Sequence, residues 1–321
     1  MGSRTNVAIR QGGSWQHCGS NGMGYSLDAW LALGPDPALA VLRSFPVWEP
    51  DEWQLESSCE AGALLDLDTR ELLFYLDLDY ERRAALLDGY GATWPGWQIR
   101  WAYNGISDVT DALGLPSTVL EHEPWDSTDL YRWGRAAADE EPIVRYLVTV
   151  GEVAYALDPY AGQPWQVGPA LLEQLTDGHR VTGWPEVPRG GLHLDPGSRT
   201  AGIWCIEPVL GVAERFAGRW PGWTLQWWED RYDEQERRAG GTFVPPELGA
   251  GRFELAERVQ DHWVYATAEM SGHWPEFRND YGTRDAGLTV DELQRGCDLL
   301  SGPEGDRVDV GAEAAKLRRW R

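Results

Sequence analysis

The chain has 321 residues, in which 28 Lys and Arg face 51 Asp and Glu for a formal net charge of −23. So strong a negative field repels a phosphate backbone and disfavours nucleic-acid binding, while it suits solubility and the steering of a basic partner. Nothing approaches a run of about 18 apolar residues, and Met1 to Arg10 has no apolar core of the signal-peptide kind, so neither membrane insertion nor export is expected and the cytoplasm is the expected compartment.

In chain order, Asn6 to Arg10 and Trp15 to Cys18 flank the turn Gln11-Gly12-Gly13-Ser14 and read as a hairpin. A Gly-rich stretch, Gly19 to Gly24, then leads into a helical periodicity from Leu27 to Leu42 with Ser26 as its N-cap. The stretch matches neither G-x-G-x-x-G nor the phosphate-loop pattern, so it reads as a strand-to-helix loop. A second hairpin joins Ala63 to Leu67 with Leu72 to Tyr75 through Asp68-Thr69-Arg70-Glu71. Leu86, Leu87 and Tyr90 then lie on one helix face, and Trp94-Pro95-Gly96-Trp97 turns into a strand from Trp97 to Trp101.

The polar stretch from Pro116 to Pro142 carries many carboxylates and little apolar periodicity. It is the expected seam between an N-terminal half, 1–135, and a C-terminal half, 136–321. Ile143 to Val150 and Glu152 to Leu157 form a third hairpin around Gly151, followed by a short helix from Pro169 to Leu175. A fourth joins Leu192 to Leu194 with Ala201 to Ile206 through Asp195-Pro196-Gly197-Ser198. Val209, Val212, Ala213 and Phe216 make the next helix stripe, and Trp220-Pro221-Gly222-Trp223 turns into a strand ending at Trp227. The stretches 178–191 and 239–251 read as loops, and 301–321 as a peripheral tail.

Aligning Trp94 with Trp220 also pairs Leu86 with Val212, Tyr90 with Phe216, Ile99 with Leu225 and Trp101 with Trp227. One strand-strand-helix-strand unit therefore occurs twice. The predicted fold class is α+β, with two related halves, each an antiparallel sheet with helices packed on one face. In each unit the Trp residues are expected to clamp helix against sheet, with Trp97 and Trp223 largely buried.

No catalytic signature stands out. Asp66 and Asp68 share a strand face, and Asp77 and Asp79 repeat their spacing, which suits Mg²⁺ or Ca²⁺ as well as a solvated edge with Asp68 as turn residue. His193 and Asp195 share a face, and His122 sits between Glu121 and Glu123; either set reads as an acid-base pair or as ordinary surface chemistry. Cys18, Cys59, Cys205 and Cys297 form no C-x-x-C pair, so reduced thiols are expected and no metal or cofactor is implied. Lys316 is the only lysine, an arginine bias expected of a GC-rich bacterial genome.

Two functions fit. One is an immunity-protein-like binder that captures a basic protein partner, using Glu121, Glu123, Glu140 and Glu141 with Trp125, Trp133 and Trp228 as contact residues. The other is an enzyme with a Trp-lined pocket between the halves, applying Asp, Glu and His acid-base chemistry to a small apolar or aromatic ligand. The 19 tryptophans speak for the second, and the charge and the absence of catalytic motifs for the first.

Overall fold

The computed structural model of the chain describes residues 4–21, 24–54, 59–77, 80–116, 119–120, 146–157, 163–177, 180–181, 188–206, 209, 212–239, 255–259 and 289–301. These fall into two compact units. The first takes the described residues of 1–77, 82–122 and 248–321, and the second those of 78–81 and 123–247.

In unit 1, β1 (Thr5–Gln11) and β2 (Ser14–Ser20) form a hairpin whose turn glycines, Gly12 and Gly13, sit at φ of 62 and 76. Two helices follow, α1 (Leu27–Leu31) and α2 (Pro35–Arg43), where the periodicity predicts one helix. Gly34 divides them by taking φ of 92, and Pro35 opens α2 at a position where its missing N–H costs nothing. Ser26 stands at the N-cap of α1 without a side-chain capping bond. Then come β3 (Ala61–Asp66), β4 (Glu71–Leu76), α3 (Tyr80–Thr93), β5 (Gln98–Trp101) and α4 (Ile106–Ala112).

Unit 2 runs through the same series. It has β6 (Tyr146–Val150), β7 (Val153–Leu157), a 3₁₀ segment Pro164–Ala170 leading into α5 (Leu171–Gln174), β8 (Gly190–Asp195), β9 (Thr200–Cys205), α6 (Val212–Arg219), β10 (Thr224–Trp227) and α7 (Tyr232–Arg238). The strand orders are β2-β1-β3-β4-β5 and β10-β9-β8-β6-β7, which is one order read from opposite ends. The repeat is thus longer than the strand-strand-helix-strand unit, taking in the hairpin before it and the helix after it.

The α+β class and the two similar halves stand, with two refinements. The sheets are mixed: β3 joins β1, and β5 joins β4, in parallel, as β8 joins β6 and β10 joins β9. The helices α3 and α6 carry the chain back to the end where β4 and β9 began, so β5 and β10 run parallel to them; β2 and β7 already end where β1 and β6 began, so β3 and β8 start there and run parallel to β1 and β6. Helices also cover both faces. Alternation along β8 sends Leu192 and Leu194 into a core with Ala201, Ile203, Phe216, Trp220, Trp165 and Leu171, beneath α6 and α5. Gly191, which alternates with them, faces Gln235 of α7 on the other side. In unit 1, α4 packs on β3 and β4 as α7 does on β8 and β9.

The repeated motif makes the same contacts in both copies. The Trp94 indole donates from Nε1 to Leu31 O at 2.7 Å, and Trp220 donates to Trp165 O at 2.6 Å. Gly96 and Gly222, at φ of 78 and 76, bring Trp97 and Trp223 edge-on to the first indole, both at 4.9 Å between centroids. Gln98 N and Thr224 N then donate to Arg70 O and Arg199 O, each at 2.9 Å, which opens β5 and β10. The buried clamp is therefore the first Trp of each motif: Trp94 and Trp220 are 1% and 0% exposed, whereas Trp97 and Trp223 are half-buried. The turn needs its last residue at the surface, where the strand departs, and only the residue closing the helix points inward.

After unit 2 the chain contributes to unit 1 again. Leu255, Ala256, Val259, Leu293, Cys297 and Leu300 are buried there, and Arg258 Nε donates to Asp28 Oδ2 of α1 at 2.8 Å.

Trp94→Ala and Trp220→Ala should each destabilise the protein by about 3–5 kcal/mol, because a large buried ring is lost. Trp97→Ala and Trp223→Ala should cost distinctly less. Denaturant midpoints of the four variants check the order, and equal losses within each pair would refute the assignment of the clamp.

Candidate functional site

A layer of buried polar side chains lies on the α7 face of the unit 2 sheet. Gly191 and Gly202 leave room there: a Cβ at Gly191 would meet the Gln235 and Trp204 side chains, and one at Gly202 the ring of Trp228. Gln235, fully buried, enters the first space. Its Oε1 accepts from Trp204 Nε1 at 2.6 Å, and its Nε2 donates to Leu147 O, Thr149 Oγ1 and Leu192 O at 3.2, 3.0 and 3.1 Å. Thr149 Oγ1 lies 2.9 Å from His193 Nδ1. The Thr149 hydroxyl thus links the Gln235 amide to the His193 ring, and it has both a proton and a second lone pair with which to meet Nδ1.

His193 is a neutral imidazole. Burial is the main cause that pushes its pKa down to about 4, the Arg238 guanidinium pushes in the same direction, and Asp195 only partly offsets them. Trp228 is tilted over the ring at 6.1 Å, and Arg238 lies over Trp228 at 4.9 Å. His193, Asp195 and Trp228 thus share one region, but His193 and Asp195 have separate partners. The Asp195 carboxylate accepts from Ser198 Oγ at 2.6 Å, Gly197 N at 2.9 Å and Ser198 N at 3.2 Å, bonds that hold it below the usual carboxylate range.

Asp66 takes the matching place in unit 1. Its Oδ1 accepts from Asp68 N and Thr69 N at 3.0 and 3.2 Å, while Oδ2 meets Arg10 Nη1 at 3.0 Å. Each carboxylate thereby closes its hairpin turn, and Arg70 and Arg199 end the turns at φ of 58 and 53. Asp68 does not close its own turn. It accepts from Gly12 N and Gly13 N at 2.7 and 2.9 Å, which ties the β3–β4 turn to the β1–β2 turn and lowers its pKa.

The corresponding face of unit 1 holds its own polar layer. Asn6 Oδ1 accepts from Gln54 N at 3.0 Å, and Asn6 Nδ2 donates to Gln54 O and Cys59 Sγ at 3.1 and 3.2 Å. Tyr75 OH also reaches Cys59 Sγ, at 3.3 Å. His17 faces Asn6 Oδ1 through Nε2 and Glu49 O through Nδ1, both at 3.2 Å. Both oxygens are acceptors, yet burial lowers the His17 pKa against the pull of the Glu49 carbonyl and of Glu52. The neutral ring therefore bonds one oxygen at a time.

His122, Trp125, Trp133, Glu121, Glu123, Glu140, Glu141 and Asp79 lie outside the described residues. Asp77 N donates to Glu60 O at 3.0 Å. Among the described residues, no group of three or more His, Cys, Asp or Glu side chains could hold a metal ion, and Cys18, Cys59, Cys205 and Cys297 are free, buried thiols. No helix among them is long and apolar enough to cross a membrane. Gln235, Trp204, Thr149, Asn6 and Tyr75 carry no sequence motif. Their one local signal is glycine within otherwise apolar strands, at Gly62, Gly191 and Gly202, which marks a close approach. No family model, curated protein or solved structure matches the chain.

Gln235→Met keeps the volume but leaves the Trp204 indole N–H without its acceptor, so a loss of about 1–3 kcal/mol in denaturant unfolding is expected; an unchanged midpoint would show the network to be neutral.

Because the folded pKa of His193 lies below its unfolded value, its contribution to stability is present above about pH 6.5 and is lost as pH falls toward about 4. His17 acts in the same direction. Unfolding midpoints at pH 7.5 and 5.0 should differ, and His193→Asn should flatten the difference. A steeper dependence in that variant would contradict the neutral assignment.

Proposed function

We propose that the protein is a non-catalytic cytoplasmic binding protein of a GC-rich bacterium that captures a basic protein partner, as immunity proteins do. The observation that carries the reading is the net charge of −23, combined with how the described catalytic candidates are used. Asp66 and Asp195 accept from their own turns and Asp68 from the neighbouring turn, while His193 Nδ1 is engaged with the Thr149 hydroxyl at 2.9 Å. A general acid or base needs a lone pair or proton directed at a substrate, and the bonded atoms of these groups are directed at the fold.

The tryptophan excess, the chief support for an enzyme with an aromatic-lined pocket, has a structural use for its most buried members. Trp94, Trp165, Trp204 and Trp220 are among the largest fully buried side chains, and three of them bind backbone or Gln235 through their indole N–H. Partner capture relies instead on the long-range field of the carboxylates, which raises the association rate and fades as salt screens it.

The test is capture from lysate of the source cell on immobilised protein, at low and at high salt, with the retained proteins identified by mass. A basic protein held at low salt and released at high salt is expected. Reversing charge at Glu121, Glu123, Glu140 and Glu141 should slow its association about tenfold and flatten the salt dependence, within the range over which steering acts. Recovery of no salt-sensitive protein, with a small molecule bound to the purified chain, would overturn the reading in favour of the enzyme.

A further inference from the structure

Unit 1 differs from unit 2 in what lies along its β2 edge. The segment Pro46 to Trp48 runs antiparallel to β2, with Gly19 N donating to Pro46 O at 3.2 Å and Trp48 N to His17 O at 3.0 Å. Trp48 is thereby laid over Gly19, where any Cβ would collide with its ring. The chain then turns back through Pro50 to Trp53, whose Nε1 donates to Pro50 O at 2.9 Å. The result is a continuous aromatic ladder. Trp15 lies 6.1 Å from Trp53, Trp53 stacks on His17 at 4.1 Å and 14°, and His17 meets Trp48 edge-on at 5.4 Å.

The ladder has a buried middle and half-buried ends. His17 and Trp53 are buried, whereas Trp15 and Trp48 keep part of their rings in solvent. Beside them Glu49, Asp51 and Glu52 are exposed, and no Lys, Arg or His occurs between Arg43 and Arg70. Glu52 has one local duty, accepting from Glu49 N at 2.9 Å; among the described residues Glu49 and Asp51 have no basic partner for their carboxylates. Aromatic faces carry negative quadrupoles, so indoles and carboxylates together make one electronegative surface with an apolar floor. The only organic side chains that suit both parts are the cationic ones, whose apolar stem or flat guanidinium covers the ring while the charge meets the carboxylates.

We infer that the Trp15–Trp48 edge of unit 1, with Glu49, Asp51 and Glu52, is the surface on which an arginine-bearing segment of a basic protein docks. Arginine fits better than lysine because its planar guanidinium stacks on an indole and pairs with a carboxylate at the same time. The inference rests on the proposed capture of a basic partner and gives that partner a place and a chemistry.

The probe is a hexa-arginine peptide, titrated calorimetrically into the full chain at low salt, with hexa-lysine and an uncharged hexapeptide as controls. Wild type should bind hexa-arginine more tightly than hexa-lysine, and the uncharged peptide not at all. Trp15→Ala and Asp51→Arg should each weaken hexa-arginine binding about three- to thirtyfold, which corresponds to the usual worth of a cation–π contact or a charge pair. Charge reversal at exposed Asp36, on α2, should change it less than twofold. Trp15 stands on a sheet, so Asp51→Arg, on an exposed turn, carries the test if the first variant fails to fold. Hexa-arginine binding that ignores both ladder variants would overturn this surface while leaving basic-partner capture intact. No binding of hexa-arginine to wild type would overturn both.

Discussion

One hydrogen bond, made twice, is what the architecture hangs on: the indole N–H of the first Trp in each Trp-Pro-Gly-Trp motif donating to a carbonyl of a helical segment earlier in the same unit. Through it α3 is fixed to α1 and α6 to the 3₁₀ segment before α5. A glycine makes each approach possible. Gly34 and Gly168, both left-handed, lie under the carbonyls of Thr93 and Arg219, and a Cβ at either would stand 2.6 Å from that oxygen. Helix, turn and first strand of the next element are thus set by one buried ring. A buried indole combines a large apolar area with a single donor that needs one well-placed acceptor, so it fixes both packing and orientation.

On the opposite face the two units solve the same problem with different residues. A central strand offers a glycine, Gly62 or Gly191, and a large ring from its hairpin partner, Tyr75 or Trp204, lies over it. The ring's polar atom then needs an acceptor. Unit 1 supplies Cys59, and unit 2 supplies Gln235 from α7. Each acceptor joins a network that includes one buried histidine or its immediate neighbour, Asn6 with His17 and Thr149 with His193. Burial lowers the pKa of both histidines, so the layers are neutral at pH 7 and their bonds are those of uncharged groups. That neutrality agrees with a structural role, since an uncompensated buried charge is costly.

The same division of labour separates fold from contact surface. The carboxylates that close hairpin turns, Asp66 and Asp195, hold the strands in register and are spent on backbone N–H groups. The negative field that acts at a distance comes from the exposed remainder, of which Glu49, Asp51 and Glu52 sit beside partly exposed indoles. Unit 2 has a matching edge pairing, Tyr155 with Arg180, and there the guanidinium meets Asp177 Oδ1 at 3.0 Å.

The sequence by itself determined the hairpins, the Trp turns and their duplication, because these depend on interactions between residues close in the chain. Asp at the first turn position, Gly at φ near 77 and a helix stripe ending at Trp are all local chemistry. It also disclosed the pairing of Ile99 with Leu225 and Trp101 with Trp227, since both strands follow the same turn. Tertiary structure decided the rest. Which Trp of the motif is buried depends on a carbonyl 63 residues away in unit 1 and 55 away in unit 2, and no periodicity records that distance. The second helix-bearing face is hidden for the same reason: α7 is a short, charged helix by composition, and only the space above Gly191 turns its Gln235 into a core residue. Asp68, next to a turn it does not close, is held by glycines 56 and 55 residues earlier. Chain-local propensity acts over a few residues, whereas the partners of buried polar groups are chosen by whichever strands the fold makes neighbours.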